Sequence, residues 1–194
     1  MIPPKTGRLI PAGVIALVLI VISTVVRAQA PAVENNNPTA AAQAAEAAIP
    51  LTPADKKFIK DASESLYLEL AIVDIALRRN RPVGATGDAA KRVGDKLHPD
   101  LKKIWEELSS FAKLKKEKLQ EELTGVDKRE VEQLRSVDIE KFNKQVVALL
   151  GKETKKLAQI FESKSIQHPV LKKLTERYSP ALKEHMNEVA QAGR

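Results

Sequence analysis

From Phe58 onward, apolar side chains return every three or four positions, the spacing of one helix face. Phe58, Ala62, Leu66, Val73 and Ala76 make the first such stripe. Thr52 ahead of it suits a helix cap, Pro53 the first helical position, and Asp55 the positive end of the dipole. The stripe ends near Arg78-Arg79-Asn80-Arg81, and Pro82 stops it. A second helix is predicted from about Thr86 to Leu123, with Val93, Leu97, Leu101, Ile104, Trp105, Leu108 and Phe111 facing inward. Pro99 falls inside it and predicts a kink or a split into two helices. Thr124-Gly125 ends that element. Asp127 with Glu130 three residues on reads as a capping-box start for a third helix, which carries Val131, Leu134, Phe142, Val146, Leu149, Leu150, Leu157 and Phe161. A fourth opens at His168-Pro169 and carries Leu171, Leu174, Tyr178, Leu182 and Val189. No segment after Thr52 alternates as a strand would. Stripes with short connections predict an all-α fold: an up-down four-helix bundle over residues 51–192, with a kinked or split second helix.

The first thirty residues follow a different pattern. Lys5 and Arg8 give a positive start, an apolar run extends from Leu9 to Val26, and Ala28-Gln29-Ala30 offers a small-x-small cleavage site. That order predicts a signal peptide over residues 1–30. The run is also just long enough to span a bilayer, so an uncleaved N-terminal membrane anchor is the alternative. Either reading exports the folded part to the periplasm or another extracytoplasmic space. Residues 31–50 read as a linker: Asn35-Asn36-Asn37-Pro38 breaks structure, and Ala40 to Ala48 is low in complexity with nothing large to bury.

Composition narrows the partners. The absence of cysteine removes a lipoprotein anchor, disulfides and thiolate metal sites. The formal charge is +7. Lys5, Arg8 and Arg27 belong to the leader, so the remainder is only mildly basic. The densest basic stretch, Lys113 to Lys118, contains Glu117 and is followed by Glu121 and Glu122. Aromatic residues are 4 % of the chain, too few for a stacking platform, and nucleic acid is not expected as a partner. The expected partner is an envelope protein or an anionic envelope surface, with membrane contact only through an uncleaved N-terminal segment.

Ionisable residues on the apolar stripes are the candidate chemistry. Glu69 sits on the first stripe among Leu66, Ile72, Val73 and Ala76. A lone carboxylate there costs several kcal/mol unless it is paired, protonated or metal-bound. His98 lies beside Leu97, Leu101 and Trp105, and His185 between Leu182 and Val189. Two imidazoles and a carboxylate suit a single divalent metal such as zinc, iron or manganese. Plainer roles compete: His98 as a cap before Pro99, His185 as a satisfied core histidine, Glu69 paired at the stripe edge, and His168 as a turn or cap residue. A di-iron bundle needs two Glu-x-x-His pairs, and the nearest match is Asp95-x-x-His98. No nucleophile-base set or glycine-rich phosphate loop is present, so neither a catalytic residue nor an organic cofactor is expected.

The stretch LTPADKKFIKDASES, Glu69 followed seven later by Ala76, Phe142 in FNKQV, Phe161, and the closing Pro180-Ala-Leu182-Lys-Glu-His185 resemble the exported bacterial family called domain of unknown function 4142. The resemblance covers about Leu51 to Val189 and implies a ferritin-like helical bundle in the cell envelope. It also implies an interior Glu on the first helix and a His on each of the next three. Glu69, His98 and His185 fit that pattern; the third-helix Asp-His position reads Glu153-Thr154, which leaves Glu153 as the substitute ligand. The Phe-Asp-x-x-Tyr motif reads Phe142-Asn143-Lys144-Gln145-Val146, without the acid and the phenol. The sequence therefore predicts a non-catalytic structural or interaction bundle of the envelope. The alternative is a metal-binding bundle for storage, sensing or stress protection, using Glu69, His98, His185 and Glu153.

Overall fold

The structure, a computed structural model, describes residues 48–79 and 88–194. The predicted leader and nearly all of the linker lie outside these residues, as do Arg81, Pro82 and Thr86 at the predicted first helix boundary. Among the described residues the regular elements are all helices: α1 (Pro53–Arg78), α2 (Ala89–Lys115), α3 (Gly125–Ser136), α4 (Ile139–Phe161) and α5 (Pro169–Ala192). None is long and apolar enough to cross a membrane.

The helix α1 starts where its caps dictate. Thr52 accepts a hydrogen bond from the Asp55 amide at 3.2 Å, and Asp55 accepts one from the Thr52 amide at 2.9 Å. Pro53 fills the first turn, where its missing N–H costs nothing. The predicted stripe of α1 is buried, and so are Ile59, Leu68 and Ile72 beside it. α1 packs along α2 and α4, and α5 closes the arrangement by packing against α2 and α4. Phe142, Leu97, Leu101, Ile104, Leu150 and Leu171 fill the interior these helices share.

Two predicted elements differ from the structure. The second helix is neither split nor interrupted: α2 runs through Pro99 from Ala89 to Lys115. Leu97 and Leu101 on either side of the proline are fully buried, so the continuous apolar stripe holds the helix across the lost hydrogen bond. The predicted third helix, in contrast, is two helices. Its cap is not Asp127, which lies inside the first turn of α3; the N-cap is Thr124, followed by Gly125 at φ 56°. The chain breaks again at Val137, whose extended backbone separates α3 from α4. Arg79 explains why that break is stable. Its guanidinium donates to the Leu134 carbonyl at 2.8 Å and to the Val137 carbonyl, and lies 4.3 Å from the Phe142 ring. The carbonyls left over at the end of α3 are thus satisfied from α1, with a cation–π contact alongside.

Candidate functional site

A buried polar group of the interior begins with Glu69 on α1. The helical stripe that buries Leu66 and Val73 carries Glu69 inward with them, and it is fully buried. Opposite it, α4 presents Glu153 and Thr154, both buried. The Thr154 hydroxyl donates to Oε1 of Glu69, across 85 positions of sequence. Oε2 of Glu69 is buried without a hydrogen-bond partner. Burial pushes the Glu69 carboxyl up to about 8; the Thr154 bond opposes that shift, and the charge of Glu153 adds to it. At neutral pH Glu69 is therefore a neutral acid.

Glu153 lies beside it in a different setting. Lys152 approaches Oε1 at 3.4 Å and Lys156 approaches Oε2 at 3.8 Å. Lys152 also reaches Glu130 on α3 at 3.5 Å. Burial pulls the Lys152 ammonium down, but Glu153 and Glu130 outweigh it and hold its pKa above the usual lysine range. Neighbouring acids thus play different parts: Glu69 is neutral in an apolar setting, while Glu153 is flanked by cations.

The histidines do not join this pair. His185 on α5 is buried, and its Nε2 lies 3.2 Å from Oδ2 of Asp100 on α2. Burial lowers the imidazole pKa, against the pull of Asp100. A neutral ring with its proton on Nε2 donates to Asp100 and leaves the buried Nδ1 without a partner. His98 is half-exposed, and its Nε2 lies 3.7 Å from Oδ1 of Asp74 on α1. Glu69, Glu153, His98 and His185 therefore belong to separate local partnerships. Among the described residues, no three His, Asp or Glu side chains gather in a geometry that could hold a metal ion. The donor set implied by the resemblance does not fit a single divalent metal here.

Asp55 is the polar residue that sequence reasoning undervalued. The Thr-Pro-Ala-Asp pattern signals its place in the first turn, but nothing local signals its second role. Its Oδ1 accepts from the amides of Gln167 at 2.8 Å and His168 at 3.0 Å, just ahead of α5. Burial alone would raise its pKa; the bonds from Thr52, His168 and Gln167 outweigh it and hold the carboxyl down at about 2. His168 is the N-cap of α5, as its position before Pro169 predicts: its Nδ1 accepts from the Val170 amide at 3.2 Å.

One cleft of about 930 Å³ opens on the outside, between α1, α3 and the turn that joins α2 to α3. Tyr67, Leu70, Ile75, Trp105, Leu123 and Val131 give it an apolar floor. The Tyr67 and Trp105 rings lie 5.8 Å apart. Asp74, Glu121, Glu122 and Glu132 share its rim with Arg78, Lys128 and Arg135, so the rim carries both signs of charge.

The family model described as "Domain of unknown function (DUF4142)" matches residues 39–192. A solved structure, the crystal structure of a DUF305 fragment from Deinococcus radiodurans, is similar in fold, with a TM-score of 0.61 and 11 % identity. The similarity covers 74 % of this chain and 97 % of that one. No curated protein matches this chain.

Proposed function

We propose, for a chain that belongs to the DUF4142 family, that its role is non-catalytic: an exported structural or interaction bundle of the cell envelope. One observation carries this reading. Three interior polar groups each hold one helix to another. Asp55 ties α1 to the lead-in of α5, Glu69 ties α1 to Thr154 on α4, and His185 ties α5 to Asp100 on α2. A catalytic acid or base needs reach to a reacting atom. Here Glu69 is fully buried, and His185 is buried with its Nε2 against Asp100 instead. The leader pattern in residues 1–30 supplies the compartment.

The test is fractionation of cells making the full chain with a C-terminal tag, combined with complementation of a deletion strain. The chain is expected in the envelope fraction and accessible to added protease in spheroplasts. Glu69→Gln and His185→Gln are expected to complement as fully as the unaltered chain wherever they accumulate to the same level. Loss of complementation at equal abundance would make those residues functional and end the non-catalytic reading.

A further inference from the structure

One end of the bundle gathers the features of a membrane-docking surface. The C-terminus of α2, the N-terminus of α1 and the α4–α5 connection all meet there. Lys56 pairs with Glu117 at 2.7 Å, the Phe58 and Phe161 rings lie 5.4 Å apart, and Asp55 binds the backbone ahead of α5. The left-handed cap at Lys116 (φ 57°) turns the chain back at the tip of α2. Around that turn Lys113, Leu114, Lys116 and Lys118 are exposed. Among the described residues, Lys113, Lys116 and Lys118 form no ion pair. Leu114 is 60 % exposed, well above the other large apolar side chains of the helices apart from Val126.

The acids that could neutralise this tip are engaged or set back from it. Glu117 pairs with Lys56, Asp61 with Lys57, and Glu162 with Lys183. Asp55 is buried. Glu121 and Glu122 lie along the cleft with Tyr67 and Trp105, past the point where Gln120 binds Ser63 on α1. Lys164, in the α4–α5 connection at the same end, adds another exposed cation.

The chain also joins the described structure here. The Lys115 ammonium donates to the Ile49 carbonyl, and Ile49 is itself 38 % exposed. The residues that precede Ile49 in sequence include the apolar run Leu9–Val26. The described chain therefore begins at the same end of the fold as the basic tip and its protruding leucine. Lysines around an inserted apolar side chain are the chemistry that binds an anionic lipid surface.

We propose that this end of the bundle, centred on Lys113, Leu114, Lys116 and Lys118, docks onto the anionic lipid headgroups of a bilayer. The proposal rests on the envelope reading above for its compartment and names the surface that the bundle meets there. Each lysine near an anionic surface strengthens binding by about fivefold at moderate salt. The leucine distinguishes a bilayer from a soluble polyanion, which offers no apolar layer to enter.

The full chain is sedimented with vesicles of phosphatidylglycerol mixed with phosphatidylcholine, and with vesicles of phosphatidylcholine alone. The readout is the ratio of the two affinities. The unaltered chain is expected to favour the anionic vesicles by tenfold or more. The variant K113Q/K116Q/K118Q is expected to bring the ratio close to one. Leu114→Asn is expected to weaken anionic-vesicle binding severalfold with charge unchanged. The control K141Q/K144Q alters exposed lysines at the opposite end of the bundle, on the first turns of α4. Helical circular dichroism verifies that each variant is folded. A ratio near one for the unaltered chain overturns the proposal, and so does equal weakening by the control pair. An ineffective Leu114→Asn overturns it in favour of a charge-only contact with a polyanion. Finding the chain in the cytosol would sink the envelope reading while leaving a positive vesicle result in place, so the two failures are distinguishable.

Discussion

Thr154 on α4 donates its hydroxyl to Glu69 on α1, and both side chains are fully buried where these helices pack. The bond places a titratable group in the core with one oxygen satisfied and one bare. Its consequence is a pH dependence of stability with a definite sign. Glu69 is protonated up to about pH 8 in the folded chain and only up to about 4.5 when unfolded. Between those limits the folded state binds the extra proton, so stability falls as pH rises across that window. Urea midpoints measured from pH 4.5 to pH 9 are expected to fall by an amount worth roughly several kcal/mol, with Glu69→Gln removing most of that slope. Thr154→Val strips the hydroxyl and is expected to cost about 1–3 kcal/mol, because a buried acceptor loses its donor.

Asp55 acts with the opposite sign. Its folded pKa of about 2 lies below the ordinary carboxylate value of 3.8, so its contribution is present above pH 4 and is lost as pH falls towards 2. Asp55→Asn keeps the shape but cannot serve as a charged acceptor for Thr52, Gln167 and His168 together. It is expected to destabilise the chain by about 2–3 kcal/mol at neutral pH and to flatten the acid limb of the stability profile. Thermal melts at pH 2.5, 4 and 7 would read both effects.

Arg79 holds the break between α3 and α4. Removing its guanidinium leaves the Leu134 and Val137 carbonyls without that donor and removes the contact with Phe142. Arg79→Met is expected to cost about 1–3 kcal/mol. The loss should be local as well as global. Amide hydrogen exchange should accelerate in residues 125–137 before it does in α2 or α5.

The ligand geometry carries its own expectation. With His98 beside Asp74 at the surface and His185 beside Asp100, the candidate donors do not share one ion. Added zinc or manganese is expected to leave the melting temperature within about a degree of the metal-free chain, since a ligand that binds only the folded state must raise it. Metal retained in elemental analysis of purified protein, and lost from Glu69→Gln, would overturn this.

The stripes made the all-helical fold legible, because a period of 3.6 leaves a long trace. Phe58 to Ala76, Val93 to Phe111 and Leu171 to Val189 are buried as their spacing implies, with Trp105 only partly so. The cap at Thr52 was legible because the amide it binds is three residues on, whereas Asp55 read only as a charge for the helix dipole. The split at Val137 was not, since what stabilises it comes from Arg79, more than fifty positions away in sequence. Pro99 does not split α2, because the burial of Leu97 and Leu101 on either side holds the helix together. The candidate site was legible as a set of inward positions and no further. Glu69 and His185 are buried as their stripes predict, but the partners that decide their chemistry, Thr154 and Asp100, stand 85 positions away in each case. Helical spacing says which way a side chain faces; it is silent on what meets it.

The most direct test is the titration of Glu69 itself, followed by the carboxyl carbon signals of a glutamate-labelled full chain from pH 3 to pH 10. One buried signal is expected to titrate near pH 8, to vanish in Glu69→Gln, and to move upward in Thr154→Val. A Glu69 signal that titrates near the ordinary value of 4.5 would mean that α1 does not bury this face against α4, and would contradict the packing on which the rest depends.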